Sequence, residues 1–103
     1  MKKFISLIVF YSFVTTAFAE TGAGEVARIY PNSGGVFFKL KNDPCAAKGP
    51  SSRYYYFDHD NVSADKWFSL LLAAANTKAV VKVAVPDCTS VDHVKVNYVY
   101  QDF

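Results

Sequence analysis

The stretch SADKWFSLLLAAA, residues 63–75, decides the fold, because its apolar residues follow a helical period in a chain whose other apolar patterns alternate. Residues at i, i+3, i+4 and i+7 share one face, and they are Trp67, Leu70, Leu71 and Ala74. This spacing predicts a core-facing helix over residues 64–75. We expect the Ser63 hydroxyl to cap its first turn and Asp65 to lie at the positive end of the helix dipole.

A second apolar row runs beside the first on the same predicted helix. It comprises Phe68, Leu72 and Ala75. Because a single sheet does not need so wide an apolar face, we expect part of the helix to contact another copy of the chain. The sequence therefore predicts a homo-oligomer with this row in its interface.

Strand-like patterns flank the helix on both sides. In residues 25–30, Val26 is followed by Ile29 instead of a clean alternation, which predicts a strand with a bulge. The segment PNSGG, residues 31–35, is typical of a hairpin turn, since Asn and Gly accept a positive φ. The other predicted strands are residues 36–40, the aromatic run 54–58, residues 79–85 with Val81, Val83 and Val85 on one face, and residues 91–100 with Val94, Val96, Tyr98 and Tyr100 on one face. We expect a loop over residues 41–53 and a frayed segment over residues 20–23.

The order of these elements predicts a mainly β fold with one helix. Five strands with a helix between the third and the fourth is the arrangement of the OB-fold, a partly open five-stranded barrel that binds oligosaccharides and oligonucleotides. The sequence leaves one alternative, an α+β sandwich in which the helix lies flat on an antiparallel sheet.

Residues 1–19 have the three parts of a secretory signal peptide: Lys2 and Lys3, an apolar run over residues 4–14, and Ala17-Phe18-Ala19. We expect one domain over residues 20–103, exported to the periplasm or secreted, and no second apolar stretch approaches membrane-spanning length. Removal of the two lysines changes the formal charge from 11 minus 9 to 9 minus 9. A neutral domain outside the cytoplasm is not expected to bind nucleic acid.

Cys45 and Cys88 are the two cysteines of the chain. Because an exported protein meets an oxidising compartment, we expect them to form a disulfide. On the chain-entropy model, a bridge that closes a loop of about 44 residues stabilises a fold by about 4 kcal/mol. Thiol chemistry or metal binding needs an activating base or further ligands, which the spacing of the two cysteines and two histidines does not offer.

Tyr54, Tyr55 and Tyr56 are the candidate ligand-binding residues. Alternation sends Tyr55 to one face of the strand and its two neighbours to the other, and one of these faces must be the outer one. Exposed tyrosine suits stacking on sugar rings, because it joins a flat apolar ring with a hydroxyl. The alternative is that both sets are buried, one in the barrel and one beneath the long loop or a neighbouring subunit.

The polar run DHDN, residues 58–61, is interpreted as a turn and a helix cap. It lacks the third, bidentate carboxylate and the turn glycine of a calcium loop, and one histidine does not make a zinc site. The serines of the chain have no glycine elbow and no recognisable histidine and acid partners. The sequence therefore predicts no enzyme activity, no metal and no cofactor.

The run WFSLLLAA, residues 67–74, followed by Lys78, the valine-rich strand 79–85 and Cys88, resembles the helix, fourth strand and cysteine of the Shiga-type toxin B subunits. Gly24-Glu25-Val26 is similar to their first strand. The resemblance implies an OB-fold that assembles into a five-membered ring, binds host glycans and accompanies a catalytic A-type subunit. It assigns no glycan-contacting residue, because the position of the tryptophan, the position of the partner cysteine and the loop 41–53 all differ from those toxins.

These observations lead to one hypothesis and one alternative. The hypothesis is a secreted, non-enzymatic binding module, similar to a toxin B subunit, that self-associates and binds a glycan. The alternative is a periplasmic structural or inhibitory module that binds a protein partner through a sheet edge or the aromatic strand.

Overall fold

The computed structural model describes residues 20–49, 54–89 and 93–103, so the expected signal peptide lies outside the described residues. The fold is mainly β with one helix, as predicted. Its elements are β1 (Glu20–Asn32), β2 (Gly35–Leu40), a 3-10 turn (Ala46–Lys48), β3 (Tyr54–Phe57), α1 (Ala64–Thr77), β4 (Val80–Val85), β5 (His93–Lys95) and β6 (Tyr98–Tyr100). The six strands form one sheet in the order β5-β3-β2-β1-β4-β6, which is curled into a half-barrel.

β1 is the long strand that joins the two halves of the sheet. Residues 20–25 pair antiparallel with β4, and residues 26–32 pair antiparallel with β2. The register shifts between Val26 and Arg28, which confirms the predicted bulge. A bulge bends a strand and increases its local twist, so one strand serves both halves of a curled sheet.

The segment 20–23 was expected to be frayed, and this prediction was wrong, because these residues pair with residues 85–82 of β4. The prediction was based on apolar alternation, which these residues lack. The segment pairs with β4 because its residues are small enough to approach neighbouring atoms closely. A Cβ at Gly22 would collide with the Tyr55 hydroxyl, and a Cβ at Gly24, whose φ is +158°, would collide with the backbone after β2. Glycine permits both close approaches.

The PNSGG turn forms as predicted, with Asn32 opposite Gly35 as the last pair of the β1–β2 hairpin. The Asn32 side-chain oxygen accepts a hydrogen bond from the Gly34 N–H at 2.7 Å, the arrangement that favours asparagine in turns. Gly35 has a φ of +146°, and a Cβ there would lie 2.5 Å from the Phe57 carbonyl oxygen. This position therefore requires glycine for both its backbone angle and its space.

The last predicted strand, residues 91–100, is divided in the structure into two short strands at opposite ends of the sheet. Residues 91 and 92 lie outside the described part of the chain. β5 pairs parallel with β3, and β6 pairs antiparallel with β4. The Val96 N–H donates to the Tyr56 carbonyl at 3.0 Å, and the Asn97 N–H donates to the Ala84 carbonyl at 2.7 Å. Residues 93–100, which we call the bridging segment, therefore connect the two sides of the half-barrel.

The inward-facing row of the bridging segment differs from the prediction. Val94, Val96 and Val99 are buried, whereas Tyr98 is 53% exposed and Tyr100 is half-buried. Alternation with a period of two fails because the chain leaves one ladder and enters the other between residues 96 and 97. That change of partner reverses the face that points into the core.

α1 packs against β1, β4 and β6 and contributes the predicted stripe to the core. Leu71 and Ala74 are 0% and 1% exposed, and Trp67 and Leu70 pack partly buried against the same core. The helix extends to Thr77, two residues further than predicted. No helix among the described residues is long and apolar enough to cross a membrane.

The entry to α1 differs from the predicted hydroxyl cap. Ser63 is the N-cap residue, but its side chain makes no capping hydrogen bond. Asn61 organises the turn instead: its side-chain oxygen accepts from the Ser63 N–H at 2.8 Å, and its carbonyl accepts from the Ala64 N–H at 3.0 Å. Asp65 lies in the first turn, as predicted, where the helix dipole favours a negative charge.

Two anchors hold the loop that follows β2. Cys45 and Cys88 form the predicted disulfide, and each is 1% exposed. Asp43, only 6% exposed, accepts hydrogen bonds from the Ala23 N–H at 3.1 Å and the Cys45 N–H at 3.0 Å. Its second oxygen accepts a short hydrogen bond from the Tyr55 hydroxyl. The loop is therefore fixed to β1, β3 and the segment after β4.

Candidate functional site

Five aromatic side chains lie together on the outer surface of β1, β2, β3 and β5, and we call this surface the aromatic face. Cross-strand register brings them together: Tyr30 is opposite Phe37, Phe37 is opposite Tyr56, and Tyr54 is opposite His93. The residues that alternate with them on β2, β3 and β5 are buried. The aromatic face is therefore the outer half of the same alternation that builds the core.

The rings of the aromatic face contact one another. Phe37 and Tyr56 are stacked with centroids 5.1 Å apart, and Tyr54 and His93 are stacked at 5.9 Å. Tyr30 lies 6.2 Å from Phe37 and 6.4 Å from Tyr54. Tyr30 is 52% exposed, His93 is exposed, and the other three rings are half-buried. A contiguous, partly exposed aromatic patch on a small domain is typical of a binding surface.

The structure divides the tyrosine run that the sequence indicated. Tyr54 and Tyr56 lie on the aromatic face, whereas Tyr55 is 1% exposed and packs against Phe38 with centroids 5.6 Å apart. The Tyr55 hydroxyl donates inward, to Asp43. Tyr55 is therefore part of the core and is removed from the candidate ligand surface, because a ligand on the outer face cannot reach it.

Positive charge lies at two sides of the aromatic face. The Arg28 guanidinium donates a hydrogen bond to the Tyr54 hydroxyl at 2.8 Å, and the Lys39 Nζ lies 5.3 Å from the centroid of the same ring, which is a cation–π distance. On the β5 side, Lys95 forms an ion pair with Asp58 at 2.7 Å. The hydrogen bond to Asp58, followed by the attraction of its charge, raises the pKa of Lys95 above its ordinary value.

A surface depression of about 700 Å³ adjoins the aromatic face at Lys39. The bulge residue Ala27 lines one side, and the loop after β2 lines the other. A second depression, of about 440 Å³, is lined by β1, the same loop and Val80, and includes no residue of the aromatic face. None of the five rings lines the first depression, and Lys39 is the residue that it shares with the surroundings of Tyr54.

The helical row predicted as an oligomer interface is only partly accessible. Phe68 and Ala75 are half-buried, and Phe68 packs against the core. Leu72 is 42% exposed, so it offers most of the apolar surface on this row.

The polar run 58–61 forms the turn between β3 and α1. His59 Nε2 lies 2.5 Å from the Asn32 carbonyl oxygen, and Asp58 is engaged by Lys95. Within residues 20–49, 54–89 and 93–103, no three His, Cys, Asp or Glu side chains are grouped in a way that could hold a metal ion. These side chains therefore serve the turn that connects the aromatic strand to the helix.

Sequence reasoning missed Tyr30, Phe37 and His93 as site residues, together with the flanking cations. The hairpin turn contains a signal for the first two, because a turn at residues 33–34 places residues 30 and 37 opposite each other. His93 joins the face through the parallel pairing of β3 with β5. No local pattern indicates a parallel pairing between distant strands.

No protein-family model matches the chain, and searches of curated proteins and of solved structures find no similar protein. The function is therefore argued from the geometry of the aromatic face.

Proposed function

We propose that this chain is a secreted, non-enzymatic binding module that takes a carbohydrate on the aromatic face. The observation that supports the proposal is the set of five contacting rings on four neighbouring strands. Sugar rings have apolar faces that stack on aromatic side chains, while tyrosine hydroxyls bind the sugar hydroxyls. The disulfide fits the oxidising compartment that an exported protein meets.

We propose further that the half-barrel is an OB-type barrel similar to that of the Shiga-type toxin B subunits. If the bridging segment is counted as one interrupted strand, the chain has five strands with α1 between the third and fourth. The hydrogen bonds of the bridging segment to β3 and to β4 join the two ends of the sheet. OB-folds bind saccharides on the face of their second and third strands, and three of the five rings lie on β2 and β3.

A glycan array probed with the protein recovered from the periplasm of an expression host tests the carbohydrate proposal. Tyr30→Ala and Tyr98→Ala are matched variants, since the two side chains are 52% and 53% exposed and only Tyr30 belongs to the aromatic face. We expect Tyr30→Ala to weaken saccharide binding about tenfold, the effect of losing one aromatic contact. Tyr98→Ala should bind like the wild type.

Two outcomes contradict this proposal. In one, no saccharide binds the folded wild-type protein at millimolar concentration. In the other, both tyrosine variants bind equally well. Recovery of a single stoichiometric protein partner that Tyr30→Ala loses would favour the alternative, a periplasmic module that binds protein.

Self-association is proposed through the row of Phe68, Leu72 and Ala75, with Leu72 as its most exposed member. Analytical ultracentrifugation of the wild type, Leu72→Lys and Val62→Lys tests this proposal. Val62 is the control, because it is an apolar side chain 94% exposed outside α1. We expect Leu72→Lys to dissociate the assembly and Val62→Lys to leave it intact. A monomeric wild-type protein at tens of micromolar would exclude self-association of useful strength.

A further inference from the structure

Arg28 and Lys39 place two positive charges side by side on the outer surface. They are direct register partners across β1 and β2. Like charges at directly opposite positions of an antiparallel pair destabilise the sheet. Contacts of both side chains with Tyr54 offset part of this repulsion and hold the two charges in place.

No carboxylate compensates these two charges within the part of the chain that the structure describes. The described ion pairs belong to other cations, namely Lys41, Lys48, Lys82 and Lys95. Neither Arg28 nor Lys39 has a described carboxylate oxygen within the 4.0 Å of an ion pair. Their combined positive charge is therefore available to an anionic group that binds at the aromatic face.

Both cations converge on one ring of the aromatic face. Arg28 is held by its 2.8 Å hydrogen bond to the Tyr54 hydroxyl, and the Lys39 ammonium lies 5.3 Å from the Tyr54 centroid. One of the five guanidinium N–H donors is used in that bond. Arg28 is exposed, so its other donors face solvent on the same side of β1 as the exposed ring of Tyr30, two residues further along the strand.

We propose that the aromatic face binds a saccharide that carries a carboxylate or a sulfate, with the acidic group between Arg28 and Lys39 and the sugar ring stacked against the exposed ring of Tyr30. This inference rests on the proposed carbohydrate binding and specifies its chemical class. A guanidinium matches the planar oxygen pair of a carboxylate or the oxygens of a sulfate, and an ammonium adds a second charge-assisted bond. The bound acid also relieves the repulsion between the two cations.

The charge pattern favours one acidic group over a polyanion. Lys95, the third cation of the aromatic face, is already neutralised by Asp58 at 2.7 Å. Single-stranded nucleic acid requires a groove of cations that follows its backbone. Only the Arg28 and Lys39 side of the face offers uncompensated charge among the described residues, so the face provides one anion position rather than a track.

The test uses a panel of saccharides in which each acidic member is paired with the same core without its acid. One set carries sialic or uronic acids and the other carries sulfate esters, so the panel also distinguishes the two anions. We expect wild-type protein to bind at least one acidic member about tenfold more tightly than its neutral core, as expected for one charge-assisted contact. A single-stranded oligonucleotide is included as a polyanion.

Variants that change one charge at a time identify the side chains responsible for the preference for the acidic saccharide. Arg28→Gln and Lys39→Gln should each reduce the ratio of the affinity for the acidic member to the affinity for its neutral core to less than about threefold. Lys39→Arg should keep the preference, because it keeps the charge. Lys66→Gln is the control, since Lys66 is exposed on α1 and distant in sequence from β1 and β2. Urea unfolding of each variant checks that the fold is intact.

The outcomes separate the two proposals. Equal binding of acidic and neutral members overturns the inference about acidity and leaves carbohydrate binding in place. Binding of no saccharide overturns both. Tighter binding of the oligonucleotide than of any acidic saccharide, or an acid preference that survives in both glutamine variants, also overturns the inference.

Discussion

Replacing Asp43 with alanine is expected to destabilise the protein by about 3–5 kcal/mol, because one buried carboxyl group satisfies three donors. The bonds from the Cys45 N–H and the Tyr55 hydroxyl are buried, while the bond from the Ala23 N–H is only partly buried. A buried donor left without an acceptor costs about 1–3 kcal/mol. The two buried donors account for most of the loss, since water can replace the acceptor of the third.

Two further variants separate the contributions of the donors. Asp43→Asn keeps one oxygen for both backbone N–H groups and offers an amide donor to Tyr55, whose hydroxyl can accept. We expect it to lose about 1–2 kcal/mol. Tyr55→Phe removes the hydroxyl that donates to Asp43, so the double variant Asp43→Ala/Tyr55→Phe removes both partners of that bond. Its loss should be smaller than the sum of the single losses by about 1–2 kcal/mol.

Urea unfolding followed by the fluorescence of Trp67 measures these differences. Trp67 is the single tryptophan, and its ring lies edge-on to Phe57 at 5.2 Å in the core, so its emission reports the loss of packing. All variants are measured with the disulfide intact. A loss below about 1 kcal/mol for Asp43→Ala would refute the reasoning, and so would additivity of the two changes within about 0.5 kcal/mol.

The remaining predictions use the same unfolding assay. Cys45→Ala should lower the free energy of unfolding by about 4 kcal/mol through the lost cross-link, and reducing agent should then have no further effect. Gly35→Ala should cost about 2–4 kcal/mol because of its positive φ and the nearby carbonyl oxygen, whereas Gly34→Ala should cost less than about 1 kcal/mol; equal losses would contradict this account of the turn. Leu71→Ala should cost about 2–5 kcal/mol, since its side chain is fully buried, and Leu72→Ala on the neighbouring row should cost less than about 1 kcal/mol.

Features that depend on neighbours in sequence could be predicted. The helical period of residues 64–75, the PNSGG turn and the alternation of Val81, Val83 and Val85 each depend on a few consecutive residues, and all are present in the structure. The bulge was also readable, because Val26 and Ile29 cannot both face inward in a regular strand. The disulfide was predicted from the expected oxidising compartment and from there being one possible pair.

Features that depend on distant partners could not be predicted. The bridging segment changes ladder between Val96 and Asn97, where nothing local breaks the alternation. The Ser63 hydroxyl has the chemistry of a cap, but the preceding Asn61 fixes the turn first. For the candidate site, alternation indicated that Tyr54 and Tyr56 share a face. The rest of that face comes from three other strands, whose register is set by the whole sheet.

The bridging segment also determines when all strands of the sheet can pair during folding. It follows every other described strand in the chain, so β3 and β4 expose unpaired N–H and C=O groups until the residues made after them have docked. Open strand edges recruit strands from other molecules, and topologies that rely on such distant pairings fold slowly, in milliseconds to seconds. If the chain collapses before the bridging segment can dock, the edges of β3 and β4 are both open to aggregation. Aggregation is therefore reduced when the chain stays unfolded until the bridging segment has been synthesised.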